Sequence, residues 1–158
     1  MDWYGDEYLI VQKDNKYGMM HKSSKMVVPC IYDAIEDPSA RYRSVNCILA
    51  LKDDKYGLID HRTGEIIFPI EYPYISLWGN RVVLYNYKPC FDCEGMIRSY
   101  PNEEPPKEYK GLATMDKKHK TRIKYDVINY IFNNGAAIVT SQGKYIYLSS
   151  RMTEKKLR

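Results

Sequence analysis

Cys90 and Cys93, in "KPCFDCEG", have the spacing of half a zinc knuckle. The other half is missing. Cys30 and Cys47 stand far apart in sequence, and His21, His61 and His119 show no ligand spacing, so the pair reads as turn thiols. A thioredoxin-like role is weaker still, because no strand-then-helix pattern surrounds the pair. Neither a metal nor a cofactor is expected. Carboxylates are the other chemistry-bearing residues: Asp33 and Asp126 follow a tyrosine in "YDAI" and "YDVI", and Asp60 follows "GLI". Catalysis needs one asymmetric site, whereas recurring carboxylates fit an Asx-turn or a backbone cap. There is no G-x-S-x-G, Gly-rich phosphate loop or H-E-x-x-H, and the expectation is a protein that is not an enzyme.

A basic stretch, "KEYKGLATMDKKHKTRIK" over 107 to 124, offers a different chemistry. It holds seven Lys or Arg against Glu108 and Asp116, in a chain whose net charge is only +4. Lys110, Lys117, Lys118, His119, Lys120, Arg122 and Lys124 are the candidate binding residues. Such a run is either a solvated face or a surface for an anionic partner. A protein partner is the first expectation. Nucleic acid is the alternative, with one defect: only Tyr109 and Tyr125 flank the cations, whereas single-strand binders interleave several aromatics with charge. A polar tip, "PNEEPP" at 101 to 106, precedes the stretch.

The elements that must position these residues are β-like. The 158 residues suit one domain with a real core. Sixteen Tyr stand against three Phe and two Trp, and such amphipathic side chains fit half-buried strands. The N-terminus, "MDWYGDEYLIVQ", lacks a basic region followed by an apolar run, and no apolar stretch reaches membrane-spanning length. No membrane contact is expected. Four cysteines in such a chain read as reduced thiols, which points to a cytoplasm.

The chain says nearly the same thing twice. "KYGMMHKSSKMVVPCIYDAI" at 16 to 35 lies over "KYGLIDHRTGEIIFPIEYPYI" at 55 to 75. Each copy follows a short apolar run and a polar turn, "KDN" at 13 to 15 or "KDD" at 52 to 54, which tolerates the left-handed backbone of a hairpin. Gly64 suits the positive φ of the second turn. A third unit is read from "NRVVLYNY" at 80 to 87, "EGMIRSY" at 94 to 100 with Gly95 as its glycine, and "KYDVI" at 124 to 128. "GAAIVTSQGKYIYL" at 135 to 148 opens a fourth, with Ile146 in the glycine position. "KYDVINYIFNN" at 124 to 134 has helical spacing, but the repeat prefers a strand end followed by a loop.

These residues resemble the WG (KWG) repeat family of bacterial and phage proteins, with Tyr17 and Tyr56 in the family's Trp position. The resemblance is strong in two units and faint in two, and it implies a binding or scaffold role. Hairpins of this kind become stable by stacking their apolar faces, with Tyr17 and Tyr56 in the core. The expected fold is all-β, a repeat array of β-hairpins with about eleven short strands, as an open solenoid or a propeller-like ring. Its units would span 7–45, 46–79, 80–133 and a partial 134–150 in one domain over 1–158, with an insertion at 101–123. The expected function is a non-enzymatic protein-interaction module that inhibits or adapts a larger assembly.

Overall fold

The polar turns do what their sequences predict. Asp14 and Asn15 have φ of 52° and 63°, and Asp53 and Asp54 have 51° and 63°. Two consecutive left-handed residues make the turn whose twist matches that of paired strands, so each apolar run folds straight back on its neighbour. Gly64 has φ 78° in the second turn of its unit. These hairpins are parts of larger sheets in the computed structural model, which describes residues 2–4, 7–36, 47–79, 81–89 and 107–156.

Among the described residues, four antiparallel sheets follow one another along the chain. The first holds β1 (Asp2–Tyr4), β2 (Tyr8–Lys13), β3 (Lys16–His21) and β4 (Met26–Tyr32). The second holds β5 (Ala34–Glu36), β6 (Cys47–Lys52), β7 (Lys55–Asp60) and β8 (Glu65–Tyr72). In the third, β10 (Arg81–Tyr85) lies between β9 (Tyr74–Trp78) and β11 (Lys110–Thr114). Single bridges from Lys110 to Tyr125 and from Ala113 to Lys120 continue that sheet past β11. The fourth holds β12 (Val127–Ile131), β13 (Ala137–Ser141), β14 (Lys144–Leu148) and β15 (Glu154–Lys156). The fold is all-β and built of repeated hairpins, with no helix among the described residues. None of the described residues form a helix long and apolar enough to cross a membrane.

The strand count departs from expectation: fifteen strands are present among the described residues instead of about eleven. The reason is an added leading strand in each sheet, together with β15 in the fourth, while the last strand expected of the third unit is reduced to single bridges. After each terminal tyrosine the chain passes a bend at Asp33, Pro73 or Asp126 and begins a new strand, which becomes the edge of the next sheet. Val127–Ile131 is therefore neither a helix nor a strand end followed by a loop. It pairs with β13 and opens the fourth sheet, with a bulge at Asn129.

Strand periodicity explains how the sheets stack. Successive side chains point to opposite faces, so a strand buried on both faces reads as an unbroken apolar run. In β6, Cys47 and Leu49 join one cluster with Val82, Leu84 and Ala113 of the third sheet. Ile48 and Ala50 join another with Met19, Val28 and Tyr32 of the first. The third sheet splits in the same way, since Val83 and Leu112 pack with Ile128, Ala137, Val139 and Leu148 of the fourth. Among the described residues, three apolar junctions thus join four sheets in a line, and no closed barrel forms. Tyr56 is buried as expected, but Tyr17 is half-buried and outside the core clusters. Arg81 adds a polar tie across the last junction, donating from Nε to the Gly135 carbonyl and from Nη2 to that of Ser150, each at 3.0 Å.

The third unit differs most from the expected one. β10 pairs with Lys110–Thr114, which the repeat reading had placed inside an insertion at 101–123. Residues 94–100, including Gly95, lie outside the described residues. The glycine of this unit is Gly111, as far from Tyr125 as Gly18 is from Tyr32. Gly111 lies opposite Leu84 as Gly18 lies opposite Val11 and Gly57 opposite Ala50. A methyl group added there would come within 2.9 Å of the Arg122 carbonyl oxygen. At Gly18 it would meet the Cys30 nitrogen at 2.8 Å, and at Gly57 the Phe68 oxygen at 2.8 Å. Only a bare Cα lets the irregular fourth strand of the unit cross so closely. The fourth unit keeps its expected exception, with Ile146 opposite Val139.

A candidate interaction surface on the third sheet

With Gly111 as the reference point, the basic residues fall into repeat positions. Lys117 and Lys118 sit in the turn after β11, matching the "KSSK" and "HRTG" turns of the first two units. Lys117 has φ 63° there. Asp116 organises this turn: its Oδ1 accepts from the Thr114 hydroxyl at 2.6 Å and from the Lys118 backbone N–H at 3.0 Å. The Thr114 hydroxyl and the Lys118 amide hold the Asp116 carboxyl below its ordinary range. Beyond the turn the chain alternates. Lys120, Arg122 and Lys124 point to solvent, while Thr121 and Ile123 are half-buried. Ile123 packs on the junction between the second and third sheets.

The seven predicted residues therefore separate into two groups. Lys110 is held inside the structure, with its ammonium donating to the Asp126 carbonyl at 3.2 Å and lying 5.3 Å from the centre of the Tyr87 ring. Lys124 pairs with Glu154 at 2.7 Å. The ammonium of Lys124 is the first cause of the lowered Glu154 carboxyl, and the Tyr125 hydroxyl, donating to Glu154 at 2.5 Å, is the second. His119 is half-buried, with its carbonyl accepting from the Thr114 amide at 2.9 Å. Lys117, Lys118, Lys120 and Arg122 remain exposed, and none of them forms an ion pair among the described residues. They make a short basic ridge on one turn and one strand edge. Tyr125, one of the two aromatics flanking the basic stretch, is fully buried, and Tyr109 is half-buried.

Recurring carboxylates occupy structural positions. Asp33 Oδ2 accepts the Asp53 amide at 3.0 Å, and Asp126 Oδ2 accepts the Gln142 amide at 2.8 Å. Each carboxylate caps the hairpin turn of the following sheet. Asp33 also pairs with Lys16, and Asp60 Oδ1 accepts the Arg62 amide at 2.9 Å in an Asx-turn. At the equivalent position the second unit has Pro73, which carries no carboxylate, and the hairpin turn it would cap is absent. Residues 87–108 stand there instead, between Asn86 and Tyr109. Asn86 closes the base, accepting the Tyr109 amide on Oδ1 at 2.8 Å and donating from Nδ2 to the Lys107 carbonyl at 3.2 Å. Beside it, Tyr56, Tyr74, Tyr85 and Tyr87 form a run of edge-to-face rings with centroids 5.3 to 5.5 Å apart. Sequence reasoning missed this cluster, since its tyrosines come from three strands and one loop.

Cys90 and Cys93 lie outside the described residues. Among the described residues no three His, Cys, Asp or Glu side chains gather as a metal site would require.

The model of a family described as WG containing repeat matches residues 17–40 and 56–80. No curated protein and no solved structure matches the chain. Each matched stretch starts at the repeat tyrosine of β3 or β7, runs through the last strand of its sheet and ends at or beyond the first strand of the next. The sequence and the strand register thus agree with the family model on the same two units, and the chain carries WG repeats at residues 17–40 and 56–80.

Proposed function

We propose that the chain is a non-enzymatic protein-interaction module that meets an acidic protein surface with the basic ridge of its third sheet. The observation that carries this reading is the separation of the basic residues, with Lys110 and Lys124 engaged and Lys117, Lys118, Lys120 and Arg122 exposed and in no ion pair among the described residues, although Asp116 stands beside them in the turn. Charges held on a rigid turn and strand edge lose little freedom on binding and steer an oppositely charged surface into register. An inhibitor or adaptor of a larger assembly needs no more than this. The alternative is nucleic acid on the same ridge, and the burial of Tyr125 weighs against it, because a fully buried ring offers no face on which a base can stack.

Replacing Lys117, Lys118, Lys120 and Arg122 together by Gln tests the reading. All four are exposed, so the variant is expected to melt with the unaltered protein. Affinity capture from the native host, with nuclease present, is expected to retain an acidic protein on the unaltered chain and lose it on the variant. Capture abolished by nuclease supports the nucleic-acid alternative, and equal capture by both chains refutes a role for the ridge.

A further inference from the structure

Every junction between sheets uses the same repeat positions, and the two ends of the stack present one half of a junction each. Toward the following sheet, a unit offers Leu49 and Leu58 in the second sheet, and Val83 and Leu112 in the third; all four are buried. Toward the preceding sheet, it offers Ile48, Ala50 and Ile59 in the second sheet, and Val82, Leu84 and Ala113 in the third; all six are buried as well. In the fourth sheet the positions that face forward are Ile138 and Tyr147, paired in register, with Tyr145 opposite Thr140 beside them. No described sheet covers them. Tyr145 holds the repeat position of Tyr56, and it is 60% exposed where Tyr56 is 3% exposed. Val127 and Tyr130, in register with Thr140 and Ile138, extend this face and are exposed as well. At the other end, Leu9, Val11 and Met20 of the first sheet hold the positions of Ile48, Ala50 and Ile59, and they are half-buried where their counterparts are fully buried.

We infer that the chain associates head to tail with a second copy of itself, the outer face of the fourth sheet seating on the outer face of the first. The two faces belong to the two sides of one interface that the molecule already builds three times internally. Both are apolar, and one is rich in tyrosine, a residue that buries area at low entropic cost. Such a contact is heterologous, because different patches meet, and it grows into chains or closes into a ring. It involves none of the four exposed cations of the ridge, so it stands or falls separately from the proposed function.

Sedimentation velocity tests the inference. The average mass of the unaltered protein is expected to rise with concentration. Tyr145→Lys, which spoils the fourth-sheet face, and Met20→Lys, which spoils the first-sheet face, are each expected to sediment as monomers alone. An equimolar mixture of the two is expected to form dimers and nothing larger, since each copy keeps one good face and the good faces differ. A monomeric unaltered protein at all concentrations, or a mixture that stays monomeric while both variants fold by circular dichroism, overturns the proposal. So does a Met20→Lys variant that still self-associates, which would mean that fourth sheets pair with each other. A photo-crosslinking residue at position 145 needs no change to the first sheet. Its crosslinks are expected in β2 or β3 of a neighbouring copy, and crosslinks confined to β13 and β14 contradict the proposal.

Discussion

Gly111 condenses the local rule of the repeat. A side chain there has no space, because the backbone of Arg122 passes where its Cβ would sit, as the backbones of Cys30 and Phe68 do at Gly18 and Gly57. Gly111→Ala is expected to cost about 1–3 kcal/mol through overpacking, measured by urea unfolding. No loss of stability would mean that Gly111 is not the glycine of the third unit. Titration gives a second test at this scale. Burial, the first cause, pushes the His61 imidazole below its ordinary 6.5, beside the Tyr8 ring whose centroid is 4.8 Å away. The folded chain therefore binds fewer protons than the unfolded chain between the lowered value and 6.5. Stability is expected to be full above pH 6.5 and to fall as the pH drops through that window, with a shallower fall in His61→Phe. The Lys16 hydrogen bond, and after it the Asp53 amide, lower the Asp33 carboxyl from its ordinary 3.8. Its contribution is present above 3.8 and is lost as the pH falls through the lowered value, so Asp33→Asn should flatten the acid end of the profile.

At the scale of elements, the legible part of the fold was the part whose signals are local. "KDN" and "KDD" mark turns through the left-handed conformations that Asp and Asn tolerate, and the Tyr-Asp pairs recur because each carboxylate caps the next turn. The third unit was hidden for two physical reasons. Lys110 replaces the repeat tyrosine, and the two-residue turn before it gives way to residues 87–108, so the run from Gly111 to Tyr125 reads as a basic loop. The candidate binding residues share that origin. Their charge was visible, but the division between held and exposed cations depends on the bridges to Tyr125 and Lys120 and on Glu154, which is distant in sequence. Replacing residues 87–108 by Asn-Gly should restore the tight turn used in the first two sheets, since Tyr85 and Lys110 already pair. The shortened chain is expected to keep the far-ultraviolet spectrum of the parent and to melt as one unit. An unfolded product would show that the segment is structural and does not merely interrupt the unit.

Across the whole molecule, the central claim is that the sheets stand by sharing faces. β6 and β10 contribute to a junction on each side, so neither inner sheet has a core of its own. A stack coupled through such junctions behaves as a one-dimensional chain of neighbours, and weakening one junction is felt along it. A single side-chain truncation far from the first sheet exposes this coupling. Leu112→Ala lies in the junction of the third and fourth sheets, and truncating a buried leucine costs roughly 2–5 kcal/mol. Hydrogen exchange, followed sheet by sheet across a urea series with and without this substitution, tests the claim most directly. The shared-face stack predicts that protection in β2 and β3 falls by the same amount as in β10 and β11. A loss confined to the third and fourth sheets, with β2 and β3 unchanged, would contradict it.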